Sequence, residues 1–225
     1  MRAQLAVAIV MMGTVALSGC SAAGVGPART ATTTPVTAET PAPQPAVDAI
    51  VVAGDGLHLH AGGATLAVLD YRHPAEDVLS RLTEVLGAPT ATREQPATNH
   101  TKPSTVTEFG GLAVIAPHYD EPVTNDYKAR PAWYADVTTA SAGAVALRTT
   151  AGDAVGAPYA DATSAVGEWD AGWRLEDGSG QSATLVETSP DAPAEVGETP
   201  GVIVIGDPDG GVISRLYAPG TLGAP

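Results

Sequence analysis

Short runs in which apolar and polar residues alternate dominate the chain from Ile50 onward. Two of the clearest are Leu57–His60 and Val145–Thr149, and turns containing Gly or Asp separate many of these runs. Alternation with a period of two, bounded by turn residues, is typical of antiparallel strands. The same reasoning predicts further strands at 50–53, 64–71, 105–109, 112–115, 133–138, 173–176, 183–187, 202–205 and 212–217. A meander of hairpins is the simplest arrangement of these strands.

Residues 74–86 break the alternation and predict an α-helix. Apolar residues fall on one broad helical face there, namely Val78, Leu79, Leu82, Val85 and Leu86. Pro74 suits the first turn of a helix, and Gly87 suits its end. A second and weaker helix is predicted over 159–166. The predicted fold class is therefore α+β, an antiparallel β-hairpin meander with one clear and one weak helix.

The chain also shows signs of an internal repeat. Gly-Ala-Pro, preceded by Leu or Val, recurs at 86–89, 155–158 and 222–225. This recurrence predicts a duplicated helix-plus-sheet unit over 50–150 and 151–225. Coincidence is the alternative, because the chain contains 25 glycines and 19 prolines. The order of a helix followed by four strands distantly resembles the beta-lactamase-inhibitor-like and outer-membrane assembly lipoprotein folds, which are small helical layers on curved antiparallel sheets.

Residues 1–19 have the pattern of a secretory signal peptide. Arg2 precedes the apolar stretch 5–16, which is shorter than the roughly 20 residues needed to span a bilayer. Leu17-Ser18-Gly19-Cys20 follows, and Cys20 is the single cysteine of the chain. These four residues resemble the lipobox of bacterial lipoproteins. The resemblance implies that Cys20 becomes the acylated first residue of a protein anchored at the extracytoplasmic face of the cell membrane. An ordinary cleaved signal peptide is the alternative.

Residues 20–47 are predicted to be a disordered tether. They are rich in Pro, Thr and Ala and show no apolar periodicity, so they cannot bury a core. Such a segment is suited to holding a folded part away from the membrane. Residues 48–225 remain as the predicted antiparallel α+β domain.

The charge of the chain excludes one class of partner. The formal net charge is −14, and residues 1–19 hold one base and no acid, so the remainder carries about −15. Nucleic acid would be repelled by such a surface. An anionic membrane surface would also be repelled, and we therefore expect the lipid on Cys20 to provide the attachment.

Aromatic residues indicate a ligand-binding site. All three tryptophans lie between positions 133 and 173, although the chain is otherwise poor in aromatic residues. Aromatic faces bordered by carboxylates suit a groove for a sugar or a peptide. The predicted ligand-binding residues are Trp133, Tyr134, Glu168, Trp169 and Trp173. The alternative is that these side chains fill the core.

Three other segments contain residue types that suit ligand or metal binding. His58 and His60 would share one face of a strand, where they suit either a metal or solvent. The sequence 207–211, Asp-Pro-Asp-Gly-Gly, resembles part of a calcium loop but equally makes a turn between two strands. The polar segment 117–131 suits a binding loop or an unstructured connection. No metal ligand and no cofactor are predicted.

Motifs for catalysis are missing from the sequence. It contains no Gly-x-Ser-x-Gly elbow, no phosphate-binding loop and no dinucleotide fingerprint. We therefore predict a non-catalytic, membrane-anchored lipoprotein that binds a protein or a cell-envelope ligand. The alternative is a cell-envelope hydrolase that uses acidic residues such as Glu168 and Asp170.

Overall fold

Alternating apolar runs form most of the strands in a computed structural model of the chain. The structure describes residues 45–98, 101–119, 131–162, 173–174, 180–189 and 198–223. All of its elements belong to one compact unit, Pro43–Pro225. The strands are β1 (Ala49–Val52), β2 (Gly56–Ala61), β3 (Ala64–Asp70), β4 (Ala91–Gln95), β5 (Ser104–Phe109), β6 (Leu112–Pro117), β7 (Tyr134–Val137), β8 (Ser141–Ala142), β9 (Val145–Thr149), β10 (Trp173–Arg174), β11 (Ser182–Thr188), β12 (Glu198–Gly206) and β13 (Ile213–Gly223).

The strands form two sheets. The smaller sheet has the order β3-β2-β1-β9-β8, and the larger has the order β10-β11-β12-β13-β7-β6-β5-β4. Neighbours in sequence pair as antiparallel hairpins within each sheet, as the sequence predicts. The predicted sheet-dominated α+β class is confirmed at this level.

Two long-range pairings join the hairpins. Strand β1 pairs with β9 in parallel, with Ile50 opposite Leu147. Strand β13 pairs with β7 in antiparallel fashion, with Leu216 opposite Val137. These two pairings convert a series of local hairpins into the two sheets.

The predicted helix is α1 (Ala75–Leu86), which begins directly after Pro74. Val78 and Leu82 are buried, and the remaining apolar residues of that face pack against the same core. Gly87 ends the helix with a φ of +86°, and its backbone N–H donates to the Thr83 carbonyl. An amphipathic segment of this kind is stabilised mainly by burial of its apolar face.

One core cluster lies between the two sheets and α1. It takes Leu57 from the smaller sheet, Leu82 from α1 and Leu112 from the larger sheet, each with no exposed surface. Trp133 is also part of it. Its ring lies 4.6 Å from the Tyr71 ring, and its Nε1–H donates to the Asp70 carbonyl at 3.2 Å. This contact links the end of β3 to the start of β7.

The second predicted helix differs from expectation. Only a 3-10 turn, Tyr159–Asp161, forms there, and residues 163–166 lie outside the described residues. Tyr159 is buried, and its hydroxyl lies 2.6 Å from the Thr184 hydroxyl on β11. In the described part of 151–225, all four strands join the larger sheet. Two copies of a helix-plus-sheet unit are not visible in this arrangement.

Candidate ligand-binding face

The larger sheet has two different faces. The core face of this sheet carries side chains that belong to the core cluster, among them Ala135, Val137 and Leu216. Because side chains alternate along a strand, Tyr134, Asp136 and Tyr217 lie on the opposite face. We call this second side of the sheet the outer face.

An apolar and aromatic row crosses the outer face over six strands. Its members follow from the cross-strand register, in which Val106 pairs with Ile115, Ile115 with Tyr134, Tyr217 with Ile203, and Ile203 with Leu185. Tyr134 and Tyr217 connect the two halves, since their rings stack with centroids 5.7 Å apart. Cross-strand contacts of this kind stabilise a sheet.

Part of this row is buried from solvent. Leu185 and Ile203 are 2% and 6% exposed, and together with Ala183 they form a second hydrophobic cluster. Ile205 and Tyr217 pack against that cluster. The partly exposed positions are therefore concentrated around Tyr134 and Tyr217, near the middle of the sheet.

An ion pair lies beside the two stacked tyrosines. Arg215 donates from Nε to Asp136 Oδ1 at 2.5 Å and from Nη2 to Oδ2 at 2.6 Å. The guanidinium carbon is 5.5 Å from the centre of the Tyr217 ring, within the range of a cation–π contact. We refer to Tyr134, Asp136, Arg215 and Tyr217 as the Tyr–Arg–Asp cluster.

The environment of the cluster perturbs two titrating groups. Burial raises the pKa of Tyr217 to about 12, although the charge of Arg215 acts in the opposite direction. The hydrogen bonds to Asp136 raise the pKa of Arg215 above its usual value, despite partial burial. Both groups therefore keep their protons at neutral pH, and the cluster presents a fixed guanidinium–carboxylate pair next to aromatic rings.

Of the predicted ligand-binding residues, Tyr134 is the one that the structure places in this cluster. Trp133 is fully buried, so the prediction that its ring lines an open groove is not met. The physical reason is its position at the junction of β3 and β7, where the indole ring fills the core. Trp173 starts the edge strand β10, opposite Ala183, and its side chain is not described. Glu168, Trp169 and the predicted lipidation site Cys20 lie outside the described residues.

Sequence reasoning missed Asp136, Arg215 and Tyr217. The alternation was present in the sequence, because Tyr134 and Asp136 are two residues apart, as are Arg215 and Tyr217. What the sequence could not supply is the pairing of β7 with β13, which places Tyr217 opposite Asp136.

The two histidines of β2 form a separate polar group on the smaller sheet. Their rings are nearly parallel with centroids 6.5 Å apart, and His58 Nε2 lies 2.7 Å from Asp55 Oδ1. His60 Nε2 lies 3.2 Å from the Thr65 hydroxyl. Within the described ranges, no set of three or more His, Cys, Asp or Glu side chains is arranged to hold a metal ion.

The Asp-rich segment 207–211 forms the turn between β12 and β13. The Asp207 carboxylate accepts from the Asp209 backbone N–H at 2.9 Å, and the Asp207 carbonyl accepts from Gly211. A side chain that bonds the backbone two residues later is characteristic of such turns. Of the polar segment 117–131, residues 120–130 lie outside the described part of the chain.

Asp70 is a further carboxylate whose two oxygens both accept hydrogen bonds from an arginine. Arg72 donates to it from Nε and Nη2 and from its backbone N–H, at 2.6–3.0 Å. Burial raises the pKa of Asp70, but the bonds and charge of Arg72, with the charge of His73, outweigh this effect and lower it overall. A carboxyl group with a lowered pKa is a poor proton donor at neutral pH.

No family model matches the chain, and no curated protein or solved structure is recognisably similar to it. Among the residues described, no helix is both long enough and apolar enough to cross a membrane.

Proposed function

We propose that this chain is a lipid-anchored extracytoplasmic lipoprotein that binds a protein or cell-envelope ligand without catalysing a reaction. The Tyr–Arg–Asp cluster on the outer face is the observation that carries the binding part of the proposal. Aromatic rings and a bidentate ion pair together offer both an apolar surface and directional hydrogen bonding.

The anchoring part rests on the sequence. Leu17-Ser18-Gly19-Cys20 follows an apolar stretch, and acylation of Cys20 would explain a lone cysteine in an exported protein. Two or more acyl chains give stable attachment where one does not. The net charge of about −15 after residue 19 makes an attractive contact with anionic lipid or nucleic acid unfavourable. The localisation that follows is the extracytoplasmic face of the cell membrane.

Two of the described carboxylates, Asp70 and Asp136, suit binding better than the acid step of a hydrolase. A glycosidase needs one carboxyl group with a raised pKa to protonate the leaving group. The pKa of Asp70 is lowered, and both oxygens of Asp136 are occupied by Arg215. These two groups act as fixed acceptors.

Metabolic labelling tests the anchor. The full chain is expressed in a bacterial host supplied with an alkyne fatty acid, together with Cys20→Ala and the neighbouring Ser21→Ala as a control. We expect label and membrane association in the unchanged chain and in Ser21→Ala, and loss of both in Cys20→Ala. Label that persists in Cys20→Ala would overturn this assignment.

Cosedimentation with isolated cell envelopes tests the binding face, using full-length Cys20→Ala protein so that the lipid cannot contribute. Arg215→Lys keeps the charge but cannot form the bidentate pair. Arg93→Lys is the matched control, since Arg93 also pairs across strands on the outer face, with Glu108 at 3.3 Å. We expect Arg215→Lys to lower the bound fraction and Arg93→Lys to leave it unchanged. Equal binding by both variants would contradict the proposed face.

A further inference from the structure

We propose that β3, an edge strand of the smaller sheet, pairs with an extended and basic segment of another protein. This inference goes beyond the proposed function, because it concerns a different sheet from the one that carries the Tyr–Arg–Asp cluster. It is carried by the open backbone edge of β3, by the exposed apolar side chains along this strand and by its acidic surroundings.

The backbone edge of β3 is open. In the described part of the chain, β3 ends the order β3-β2-β1-β9-β8, and it pairs with β2 along one side only. Every second residue of such a strand directs its N–H and C=O away from the sheet, where another strand can bond to them. The Asp70 carbonyl is occupied, because it accepts from the Trp133 side chain. The open stretch is therefore 64–69.

The other sheet edges in the described ranges are protected, whereas the edge at β3 is not. Strands β8 and β10 are edges of only two residues each. Strand β4 carries Arg93 and Glu94, and most of its residues are exposed. Short edge strands and charged side chains are common means of preventing unwanted pairing. The open stretch of β3 has the sequence Ala-Thr-Leu-Ala-Val-Leu, without a charged residue or a proline.

Apolar side chains are exposed along the same strand. Among the residues described, three large apolar side chains are this accessible, and two of them, Leu66 at 41% and Val68 at 42%, belong to β3. A peptide that adds to a sheet edge gains affinity from its main-chain hydrogen bonds and specificity from side-chain contacts. The edge of β3 offers both to a single extended partner.

A bulge in β3 favours a foreign strand over a second copy of this chain. Thr65 lies opposite His60 and Ala67 lies opposite Leu59, so Leu66 is an extra residue in the ladder. A second copy would meet β3 across a two-fold axis, and the new ladder would then contain this bulge twice. A partner with a regular strand has only one bulge to accommodate.

The charges around β3 favour a basic partner. Residues 45–71, which include β1, β2 and β3, contain three aspartates and no lysine or arginine. Asp48 is exposed, and its carboxylate accepts from a backbone N–H of the turn between β2 and β3 at 2.6 Å. Arg72 is bonded to Asp70, and Arg148 lies three strands away on β9, at about 14 Å. Together with the net charge of −14, this excess of acid attracts a cationic segment and opposes a second copy.

Calorimetric titration of the full-length Cys20→Ala protein with three capped peptides tests the inference. The probe is Lys-Thr-Val-Thr-Val-Thr-Lys, a segment with high β propensity between two bases. One control peptide has Pro-Pro in place of the central Thr-Val, which keeps the charge but prevents a regular strand. The other has Glu in place of both Lys. We expect saturable binding of the probe, binding of the Pro-Pro peptide that is weaker by about tenfold or more, and binding of the Glu peptide that is weaker by about threefold or more.

Two matched variants locate the binding. Val68→Lys places a charge on the edge of β3 against a basic peptide, and it should weaken binding of the probe by about tenfold or more, because like charges brought together at an interface are strongly unfavourable. Val212→Lys adds the same charge at the third exposed apolar side chain, directly before β13 of the larger sheet, and should leave the affinity within about twofold. If Val68→Lys lowers the unfolding midpoint, Leu66→Lys provides the same test at the second exposed position.

The outcomes distinguish the possible occupants of the edge. No saturable binding of the probe, or equal binding of the Pro-Pro peptide, would overturn strand pairing at β3. Equal binding of the Glu peptide would overturn the basic character of the partner. Equal affinity in Val68→Lys and Val212→Lys would place the peptide elsewhere on the chain and overturn the assignment to β3.

Two further measurements separate this inference from other interactions of the chain. A dimer in sedimentation that is lost in Val68→Lys would assign the edge to a second copy and overturn the foreign strand. Envelope binding that depends on Arg215 is measured separately and concerns the larger sheet. Failure of the peptide therefore leaves the proposed binding face standing, and failure of that face leaves the pairing at β3 standing.

Discussion

Single residues at the junction of the two sheets have structural roles that can be measured. Trp133 packs on Tyr71 and donates to the Asp70 carbonyl, and its side chain has no exposed surface. Replacing it with Phe should lower the free energy of unfolding by about 1–3 kcal/mol, because a smaller ring leaves space in the core and lacks the N–H donor. Urea unfolding measures this effect.

Envelope binding provides the second measurement on the same variant. A core residue should affect stability alone, so folded Trp133→Phe should bind envelopes as the unchanged chain does. A folded Trp133→Phe variant that no longer bound envelopes would show that Trp133 contributes to ligand binding.

Asp70 should make stability depend on pH. Its pKa in the folded chain lies below the usual value of 3.8, so its ionised form is favoured by folding. The resulting stabilisation is complete above that usual value and is lost as the pH falls through the folded-state pKa. We expect Asp70→Asn to be less stable than the unchanged chain at pH 7, and the difference should shrink steadily below about pH 4. Chemical unfolding at several pH values measures the difference, and a gap that stays constant down to pH 2 would contradict this role.

Tyr217 should titrate later than an ordinary tyrosine. Burial raises its pKa to about 12, against a usual value of 10.0. Its stabilising contribution is therefore complete below pH 10 and is lost as the pH rises towards the folded-state value. Tyrosinate absorbance is measured against pH for the unchanged chain and for Tyr217→Phe. Subtracting the two curves leaves the titration of Tyr217, and its midpoint should lie near pH 12, at about the raised pKa. A midpoint near pH 10 would show that the Tyr217 side chain is more exposed to water than it is in the structure.

At the scale of elements, the pattern of residues along the chain predicts the strands and the helix that form through contacts between residues close in sequence. Alternation found β2 and β9, and the apolar face with Pro74 and Gly87 found α1. Strand β4 was missed because its sequence, Ala-Thr-Arg-Glu-Gln, has no apolar alternation, and most of its residues are exposed at the edge of the sheet. A strand of this type is defined by pairing with β5.

The candidate site could be predicted only in part, because it depends on pairing between strands that are far apart in the sequence. Tyr134 was predicted from its aromatic neighbours, whereas Arg215 and Tyr217 became relevant only through the pairing of β7 with β13. The burial of Trp133 was equally beyond the pattern, because a large aromatic residue can fill a core or line a groove. The duplication of a helix-plus-sheet unit stays a prediction from the recurring Gly-Ala-Pro sequences.

The close approach between β2 and β3 predicts that a larger residue at Gly56 destabilises the fold. A Cβ atom on Gly56 would lie 2.3 Å from the Leu69 carbonyl oxygen, which is backbone and cannot rotate away. Gly56→Ala should therefore lower the free energy of unfolding by about 2–3 kcal/mol.

Gly62 provides the comparison for Gly56. Its φ is +57°, and nothing lies within 4 Å of an added Cβ atom, so Gly62→Ala should cost only the conformational strain of about 1 kcal/mol. Thermal and urea unfolding of the two variants measure the difference. Equal losses would show that the two strands separate easily at Gly56.

At the scale of the whole molecule, the shared core predicts that the two sheets unfold together. Leu82 of α1 has no exposed surface and belongs to the same cluster as Leu57 and Leu112, which come from different sheets. Leu82→Ala should lower the free energy of unfolding by about 2–5 kcal/mol while keeping a single transition. Far-UV circular dichroism and tryptophan fluorescence should give the same urea midpoint. Leu66→Ala is the control, because Leu66 is 41% exposed on β3 and its loss should cost less than about 1 kcal/mol. Two separate transitions, with Leu82→Ala shifting only one of them, would show that the sheets are independent and that α1 stabilises one alone.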